Sequence, residues 1–190
     1  MFIVIEGIDG AGTTTQALRL AEHLGAVLTR EPTDREVGRL IRSILRRDST
    51  VSMAALPWLF AADRCDHLES VVNPALERGD TVVSDRYYHS SLAYQSLTLG
   101  LVRVRQLNHT FRIPDLTIFL DIPADVALKR IQRRGGTREI FEEQAKLEQI
   151  SAAYARVNAF LRSQEESIVT LDGSLPMDEV TTQINALMGE

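Results

Sequence analysis

Short β-branched and apolar runs alternate along the chain with longer segments in which apolar residues recur every three or four positions. The runs predict five strands, at Phe2–Ile5, Ala26–Leu28, Thr81–Ser84, Thr117–Ile122 and Ile168–Leu171. The intervening segments predict helices, at Gln16–Leu24, Glu36–Arg46, Met53–Leu76, Ser90–Leu97, Ala124–Arg134, Glu142–Ser163 and Met177–Leu187. Because apolar and polar residues hardly alternate within the strands, the pattern predicts an α/β protein with a parallel sheet covered by helices on both faces.

Composition narrows the class of protein. With 190 residues, 44% of them hydrophobic, the chain is expected to form one globular domain over residues 1–190. Its net charge of −5 argues against a nucleic-acid polymer as partner. Cys65 is the only cysteine, which excludes an intrachain disulfide and a cysteine-based zinc site. No apolar run approaches the roughly 20 residues of a membrane span, and no export leader is evident, so we expect a cytoplasmic protein with no membrane partner.

A glycine-rich segment, Gly7–Thr15, directly follows the first predicted strand and precedes a helix. It has the spacing of the phosphate-binding loop G-x-x-x-x-G-K-[ST], with Thr14 at the position that ligates Mg²⁺. Glycines let backbone N–H groups converge on phosphate oxygens, and the helix N-terminus adds partial positive charge. Thr13, however, stands where the motif has its lysine, so the cation that reaches the β- and γ-phosphates is missing. A tight turn that binds no ligand is the alternative.

Several segments, in order along the chain, resemble those of thymidylate kinases. They are Glu6–Gln16, Thr29–Pro32, Leu59–Arg64, Ser84–Tyr87 with Ser91 and Ala93–Gln95, Pro114–Asp121, Arg130–Glu142 and Leu171–Ser174. The resemblance implies a three-layer P-loop nucleoside monophosphate kinase fold, with a five-stranded parallel sheet and a lid at about residues 130–142. It also implies a homodimer that uses Mg²⁺ and transfers the γ-phosphoryl group of ATP to dTMP, giving dTDP and ADP.

The resemblance assigns residues to the ATP side of the site. The ATP-binding residues would be Gly7, Gly10, Ala11, Gly12, Thr13, Thr14, Thr15 and Arg130, the last stacked on adenine. Asp85 ends the third predicted strand, where a carboxylate is suited to hold Mg²⁺ together with Thr14. Capping of the next helix is the alternative role for Asp85. The neighbouring Arg86 would contact the acceptor phosphate and act in catalysis.

On the acceptor side, Phe60 and Arg64 are four residues apart and therefore share a helix face. A nucleobase stacked on Phe60 would receive a hydrogen bond from Arg64, and by resemblance this is the thymine pocket; a core position is the alternative for Phe60. The resemblance adds Asp9 at the sugar 3′-hydroxyl, Tyr94 against the deoxyribose, Ser91 and Gln95 at the base edge, and Arg39 at the acceptor phosphate. A turn-stabilising role for Asp9 and a solvated helix face for Arg39 are the alternatives.

The basic run Lys129–Arg138 holds five cations and no acid. Such a run is as a rule solvated surface, but two glycines inside it predict a hinge that closes on phosphates. Because Ala11 brings no arginine to the glycine loop, the chain resembles family members whose catalytic arginine comes from the lid, with Arg138 as first choice and Arg134 as second. The segment Met53–Ala62 is apolar on every helical face and predicts a subunit interface.

Two alternatives to thymidylate phosphorylation remain open at this point. One is a kinase for another nucleotide or deoxynucleoside, built on the same fold. The other is a non-catalytic nucleotide-binding protein, for which Thr13 in place of the lysine is the argument.

Overall fold

The computed structural model describes residues 1–135 and 143–189. Its sheet comprises β1 (Phe2–Gly7), β2 (Val27–Arg30), β3 (Val82–Asp85), β4 (Leu116–Asp121) and β5 (Ile168–Asp172). The strands lie in the order β2-β3-β1-β4-β5, and every neighbouring pair is parallel. All six residues of the central strand β1 are buried, as expected where helices cover both faces. The predicted α/β architecture with five parallel strands is thus confirmed.

Ten α-helices accompany the sheet in the described residues. They are α1 (Thr13–Leu24), α2 (Glu36–Leu45), α3 (Leu56–His67), α4 (Asn73–Glu77), α5 (Tyr88–Tyr94), α6 (Ser96–Leu99), α7 (Leu101–Asn108), α8 (Ala124–Arg134), α9 (Gln144–Arg162) and α10 (Met177–Ala186). Among these residues, no helix combines the length and the hydrophobicity that a membrane crossing requires.

Two helix predictions need correction, and one helix was missed. The helix predicted over Ser90–Leu97 is divided into α5 and α6. The single helix predicted over Met53–Leu76 consists of a 3₁₀ turn, α3, a π-helical turn at Leu68–Val72 and α4. Pro74 has no N–H for an α-helical bond, and the wider turn ends just before it. Helix α7 was not predicted. Its apolar residues form no single stripe, since Val102 is 72% exposed while Val104 is buried.

A small hydrophobic cluster joins α2 to α3 apart from the main core between sheet and helices. Its buried members are Ile41, Ile44, Leu45, Leu56 and Phe60. Helix α2 in turn lies directly on the loop that follows β2, because a Cβ on Gly38 would come within 2.0 Å of the backbone oxygen of Thr33. The close approach fixes α2, and with it the cluster, beside the carboxyl end of the sheet.

Candidate active site

Two adjoining pockets open at the carboxyl ends of the parallel strands, where such sheets bind ligands. The glycine loop leaves β1, and Asp85 and Arg86 follow from β3, which pairs with β1 so that Ile5 lies beside Asp85. Asp9 and Arg86 line both pockets. The pockets therefore meet at one carboxylate and one guanidinium.

The larger pocket, which we call the donor cleft, has a volume of about 1010 Å³. Its lining comprises the glycine loop, arginines of α8 and the loop between β5 and α10: Gly10, Ala11, Gly12, Thr13, Thr14, Thr15, Arg130, Arg133, Arg134, Gly173, Ser174 and Met177, among others. Every predicted ATP-binding residue except Gly7 is among them. Gly7 ends β1 beneath the loop. Glycine is needed at position 10, where φ is +87° and a Cβ would lie 2.6 Å from the backbone oxygen of Ala127.

Thr14 and Asp85 lie together at the floor of the glycine loop. The Thr14 hydroxyl donates to Asp85 Oδ2 at 2.5 Å. The other carboxylate oxygen, Oδ1, is buried and has no hydrogen-bond partner within residues 1–135 and 143–189. Asp85 does not cap the next helix, which begins at Tyr88 with no side-chain cap. A carboxylate oxygen without a partner next to a hydroxyl is a donor set that fits Mg²⁺, which keeps several waters and phosphate oxygens as its remaining ligands.

The position of the missing lysine brings no cation to the cleft. Thr13 is buried, and its methyl group lies against Gly7. Arg130 donates to the backbone oxygens of Gly173 and Ser174, at 2.8 and 3.1 Å, and so joins α8 to the loop after β5. Arg134 lines the cleft, as predicted for a lid arginine, whereas Arg138 and the rest of the lid at residues 136–142 lie outside the described residues.

Arg86 is fixed between the two pockets. Its backbone is left-handed, with φ of +72°. Its Nη1 donates to the backbone oxygen of Gly7 and its Nη2 to Asp9 Oδ1, each at 2.7 Å. Burial alone would lower the pKa of Arg86, but the oxygens of Tyr94 and Asp9 outweigh it and hold that pKa well above its usual range. The guanidinium therefore presents a permanent positive charge at the junction.

The buried carboxylate Glu6 is joined to Arg86 through two hydroxyl groups. Glu6 Oε2 accepts hydrogen bonds from the hydroxyls of Ser90 and Tyr154, each at 2.8 Å. Both hydroxyls also contact Arg86 Nη1, at 3.1 and 3.3 Å. Sequence reasoning missed these three residues. No motif marks Tyr154, which is 148 positions from Glu6.

The smaller pocket, which we call the acceptor pocket, lies between the α2–α3 cluster and α5. It is lined by Asp9, Glu31, Pro32, Leu45, Phe60, Arg64, Arg86, Tyr87, Ser90, Tyr94 and Gln95. Phe60 belongs to the hydrophobic cluster and also lines the pocket, so its position in the core leaves it exposed to a ligand there. The guanidinium carbon of Arg86 lies over the Tyr94 ring, 5.6 Å from the ring centroid. Burial and the nearby Asp9 carboxylate raise the pKa of Tyr94 far above its usual value, so its hydroxyl stays protonated.

Three buried polar atoms of residues that line this pocket have no hydrogen-bond partner among the described residues. They are the Nε of Arg64, a donor, the hydroxyl of Tyr87, and the Oε1 of Gln95, an acceptor. Ser91 is buried behind Arg64 and accepts a hydrogen bond from it at 3.1 Å. Arg39 lines neither pocket; it donates to the backbone oxygen of Asp34 at 2.8 Å. The structure therefore brings Arg64 and Gln95 together at the acceptor pocket, whereas Arg39, predicted at the acceptor phosphate, lies outside both pockets.

A family model described as "Thymidylate kinase" matches residues 5–184. The chain belongs to the thymidylate kinase family. A "Probable thymidylate kinase" of Pyrococcus abyssi is 44% identical over 149 residues, which cover 73% of each chain. A "Putative thymidylate kinase" of Treponema pallidum is 42% identical, covering 74% of this chain and 71% of the relative.

A third thymidylate kinase relative covers nearly the whole chain. It is a "Probable thymidylate kinase" of Methanococcus maripaludis, 39% identical over 194 residues, which cover 98% of this chain and 94% of the relative. The predicted family and the predicted enzyme class, a phosphotransferase of the thymidylate kinase kind, are therefore confirmed.

Proposed function

We propose that the protein transfers the γ-phosphoryl group of ATP to the 5′-phosphate of dTMP, giving dTDP and ADP. The observation that carries this proposal is the position of Arg86, whose guanidinium lines both the donor cleft and the acceptor pocket. A nucleotide in the donor cleft and a second nucleotide in the acceptor pocket would each place a phosphate beside the positive charge of Arg86. The names of the family members support the choice of dTMP.

On the donor side, the glycine loop would bind the ATP phosphates through its backbone N–H groups and the N-terminus of α1. Thr14 and Asp85 would hold Mg²⁺, which would offset the negative charge of the ATP phosphates. Arg130 and the loop at Gly173–Met177 also line the donor cleft. The adenine of ATP would lie against them.

On the acceptor side, the polar groups suit the edge of a thymine. This base offers a carbonyl oxygen at C4 and a donor at N3, which complement Arg64 and the unpartnered Oε1 of Gln95. Phe60 and Leu45 supply an apolar wall for the ring and its methyl group. Asp9 and Tyr94 lie between this edge and Arg86, where the deoxyribose would sit.

The chemical step needs no general base, because the attacking group is already an anionic phosphate oxygen. That oxygen bonds to the γ-phosphorus while the bond to the β–γ bridging oxygen breaks, and ADP carries away the electron pair. The contribution of the chain is therefore alignment and neutralisation of charge. Arg86 is held ready for this by Gly7 and Asp9. Arg134 and Arg138 are the lid arginines that we propose to complete the charge.

Thr13 favours a second candidate function, nucleotide binding without catalysis. A coupled assay of ADP release with ATP, Mg²⁺ and a panel of monophosphates separates the candidates. We expect turnover with dTMP, weaker turnover with dUMP and little with UMP or dCMP. Preference for another monophosphate would identify a different nucleotide kinase. Binding of ATP and dTMP without any ADP release would instead favour the non-catalytic function.

We further propose that the protein is a cytoplasmic homodimer. Trp58 is 60% exposed and Met53 43% exposed, on the outer side of the α2–α3 region. Two large apolar side chains at one surface are typical of a buried interface. The opposite side of α3 carries Phe60 and Arg64, so a partner on the outer side would leave the acceptor pocket accessible.

A further inference from the structure

A buried network holds Arg64 on the side away from the base edge. Arg64 Nη2 donates to Glu31 Oε2 at 2.6 Å. The other oxygen of Glu31, Oε1, lies 3.0 Å from His67 Nδ1, and His67 Nε2 lies 2.6 Å from the hydroxyl of Thr29. The side chains of Arg64, Glu31 and His67 are each at most 2% exposed. His67 lines neither pocket, and the function proposed above does not use it.

We propose that His67 is a positioning residue that acts through Glu31 to hold Arg64 at the base edge of the acceptor pocket. The inference rests on the proposed function, which places a pyrimidine base against Arg64. Arg64 and His67 are three residues apart on α3 and therefore face the same loop. That loop, which follows β2, presents Thr29 and Glu31 to them.

The hydrogen bonds orient the imidazole. The Glu31 carboxylate accepts from Nδ1, and the Thr29 hydroxyl, which can donate or accept, pairs with Nε2. Both oxygens of Glu31 are then occupied, which fixes the plane of the carboxylate. A buried ion pair stabilises one geometry only when its remaining hydrogen-bonding atoms are satisfied in this way.

Other contacts restrain Arg64 from the remaining directions. Its Nη1 donates to Asn108 of α7, which itself donates to the backbone oxygen of Val104 at 2.7 Å. The rings of Tyr87 and Phe111 lie 5.2 and 5.7 Å from the guanidinium carbon. Among the described residues, Glu31 is the carboxylate that pairs with the guanidinium, while Ser91 Oγ accepts from the same Nη2 at 3.1 Å. If Glu31 were not fixed, Arg64 would lose the strongest of these restraints and could shift relative to the base.

The matched variants His67→Asn and His67→Gln test the inference. The Asn amide nitrogen occupies the place of Nδ1 and keeps the donor to Glu31. The Gln amide reaches the place of Nε2 and keeps only the contact with Thr29. We expect His67→Gln to raise the KM for dTMP about tenfold, the scale of one lost hydrogen bond to a charged group. The KM for ATP and the kcat should stay within about twofold of wild type, and His67→Asn should resemble wild type.

Selectivity for the base provides a measurement that a purely structural role would not change. The ratio of kcat/KM for dTMP over dCMP should fall in His67→Gln and persist in His67→Asn. Equal dTMP kinetics in the two variants, or an equal rise of KM for ATP and dTMP in His67→Gln, would overturn the inference. Thermal midpoints of both variants establish that they fold. If His67→Gln does not fold, Thr29→Val removes the hydroxyl that pairs with Nε2, and an unchanged KM for dTMP in that variant would count against the network.

The activity of wild type tests the proposed function, whereas the comparison of the two variants tests the role of His67. An active wild type with two indistinguishable variants would refute the role of His67 and leave the proposed function standing. A wild type that phosphorylates no nucleotide would refute both.

Discussion

Arg64 lies between the interior of the protein and the acceptor pocket: it donates hydrogen bonds to Asn108, Glu31 and Ser91, and its Nε has no partner in the described part of the chain. We predict that Arg64→Ala raises the KM for dTMP roughly ten- to a hundredfold, because a hydrogen bond from a charged group is worth about 1.5–3 kcal/mol. The KM for ATP should change little. Steady-state kinetics with each nucleotide varied in turn measure both, and Arg105→Ala, on the distant surface of α7, is the matched control.

An equal rise of both KM values in Arg64→Ala would remove Arg64 from the acceptor pocket. The variant leaves Glu31 as a buried charge without its cation, so the protein should also lose stability. Assays are therefore run well below the thermal midpoint, which is measured for each variant.

Thr13 raises the second question at the scale of single residues. We predict that a lid arginine, Arg138 as first choice, supplies the charge that the lysine would bring. Arg138→Ala should then lower kcat strongly, since an arginine at such a transition state is worth about 10³–10⁵ in rate. Thr13→Lys alone should change kcat little, yet should restore part of the loss in the Arg138→Ala background. Single-turnover rates of wild type, the two single variants and the double variant give the coupling free energy between positions 13 and 138. Additive effects of the two substitutions would refute the idea that Arg138 replaces the lysine.

At the scale of elements, α2 and the loop after β2 depend on their close approach at Gly38. We predict that Gly38→Ala lowers the thermal midpoint and raises the KM for dTMP, because the added Cβ forces the backbone of the loop that carries Glu31 to move. Gly79→Ala is the control. Position 79 has open space around it but a φ of +87°, so its cost is about 1–2 kcal/mol of backbone strain without a change in KM. Equal KM values for dTMP in Gly38→Ala and Gly79→Ala would contradict the idea that the position of α2 affects the acceptor pocket.

The elements also show what the sequence can and cannot predict. The inner strands β1, β3 and β4 were predictable because a buried parallel strand is a nearly continuous apolar run. The edge strands β2 and β5 are partly exposed, but their short apolar runs were sufficient to mark them. The glycine loop was predictable because its glycines are required by backbone geometry. Helix α7 was not, since its apolar residues form no clear stripe: Val102 is exposed, Val104 is buried, and Leu101 and Leu107 are half-buried. The contacts of Glu6 with Tyr154 and of Asn108 with Arg64 depend on tertiary packing across 148 and 44 positions, which no local pattern records.

At the scale of the whole molecule, the exposed apolar surface around Trp58 predicts a dimer. Trp58→Glu should convert the protein to a monomer, because a charge buried without a partner at an interface is costly. Light scattering after size-exclusion chromatography measures the mass, for which one chain contributes 21.2 kDa. Val102→Glu, a similar change on the exposed face of α7, is the control. A wild-type mass of one chain would refute the dimer.

We propose that the donor cleft and the acceptor pocket bring two phosphates together at Arg86. The most direct test follows the label from [γ-³²P]ATP in the presence of Mg²⁺ and dTMP, with the nucleotides separated by chromatography. We predict that the label appears in dTDP, in an amount equal to the ADP formed. Label found in inorganic phosphate, or retained entirely in ATP, would contradict the account.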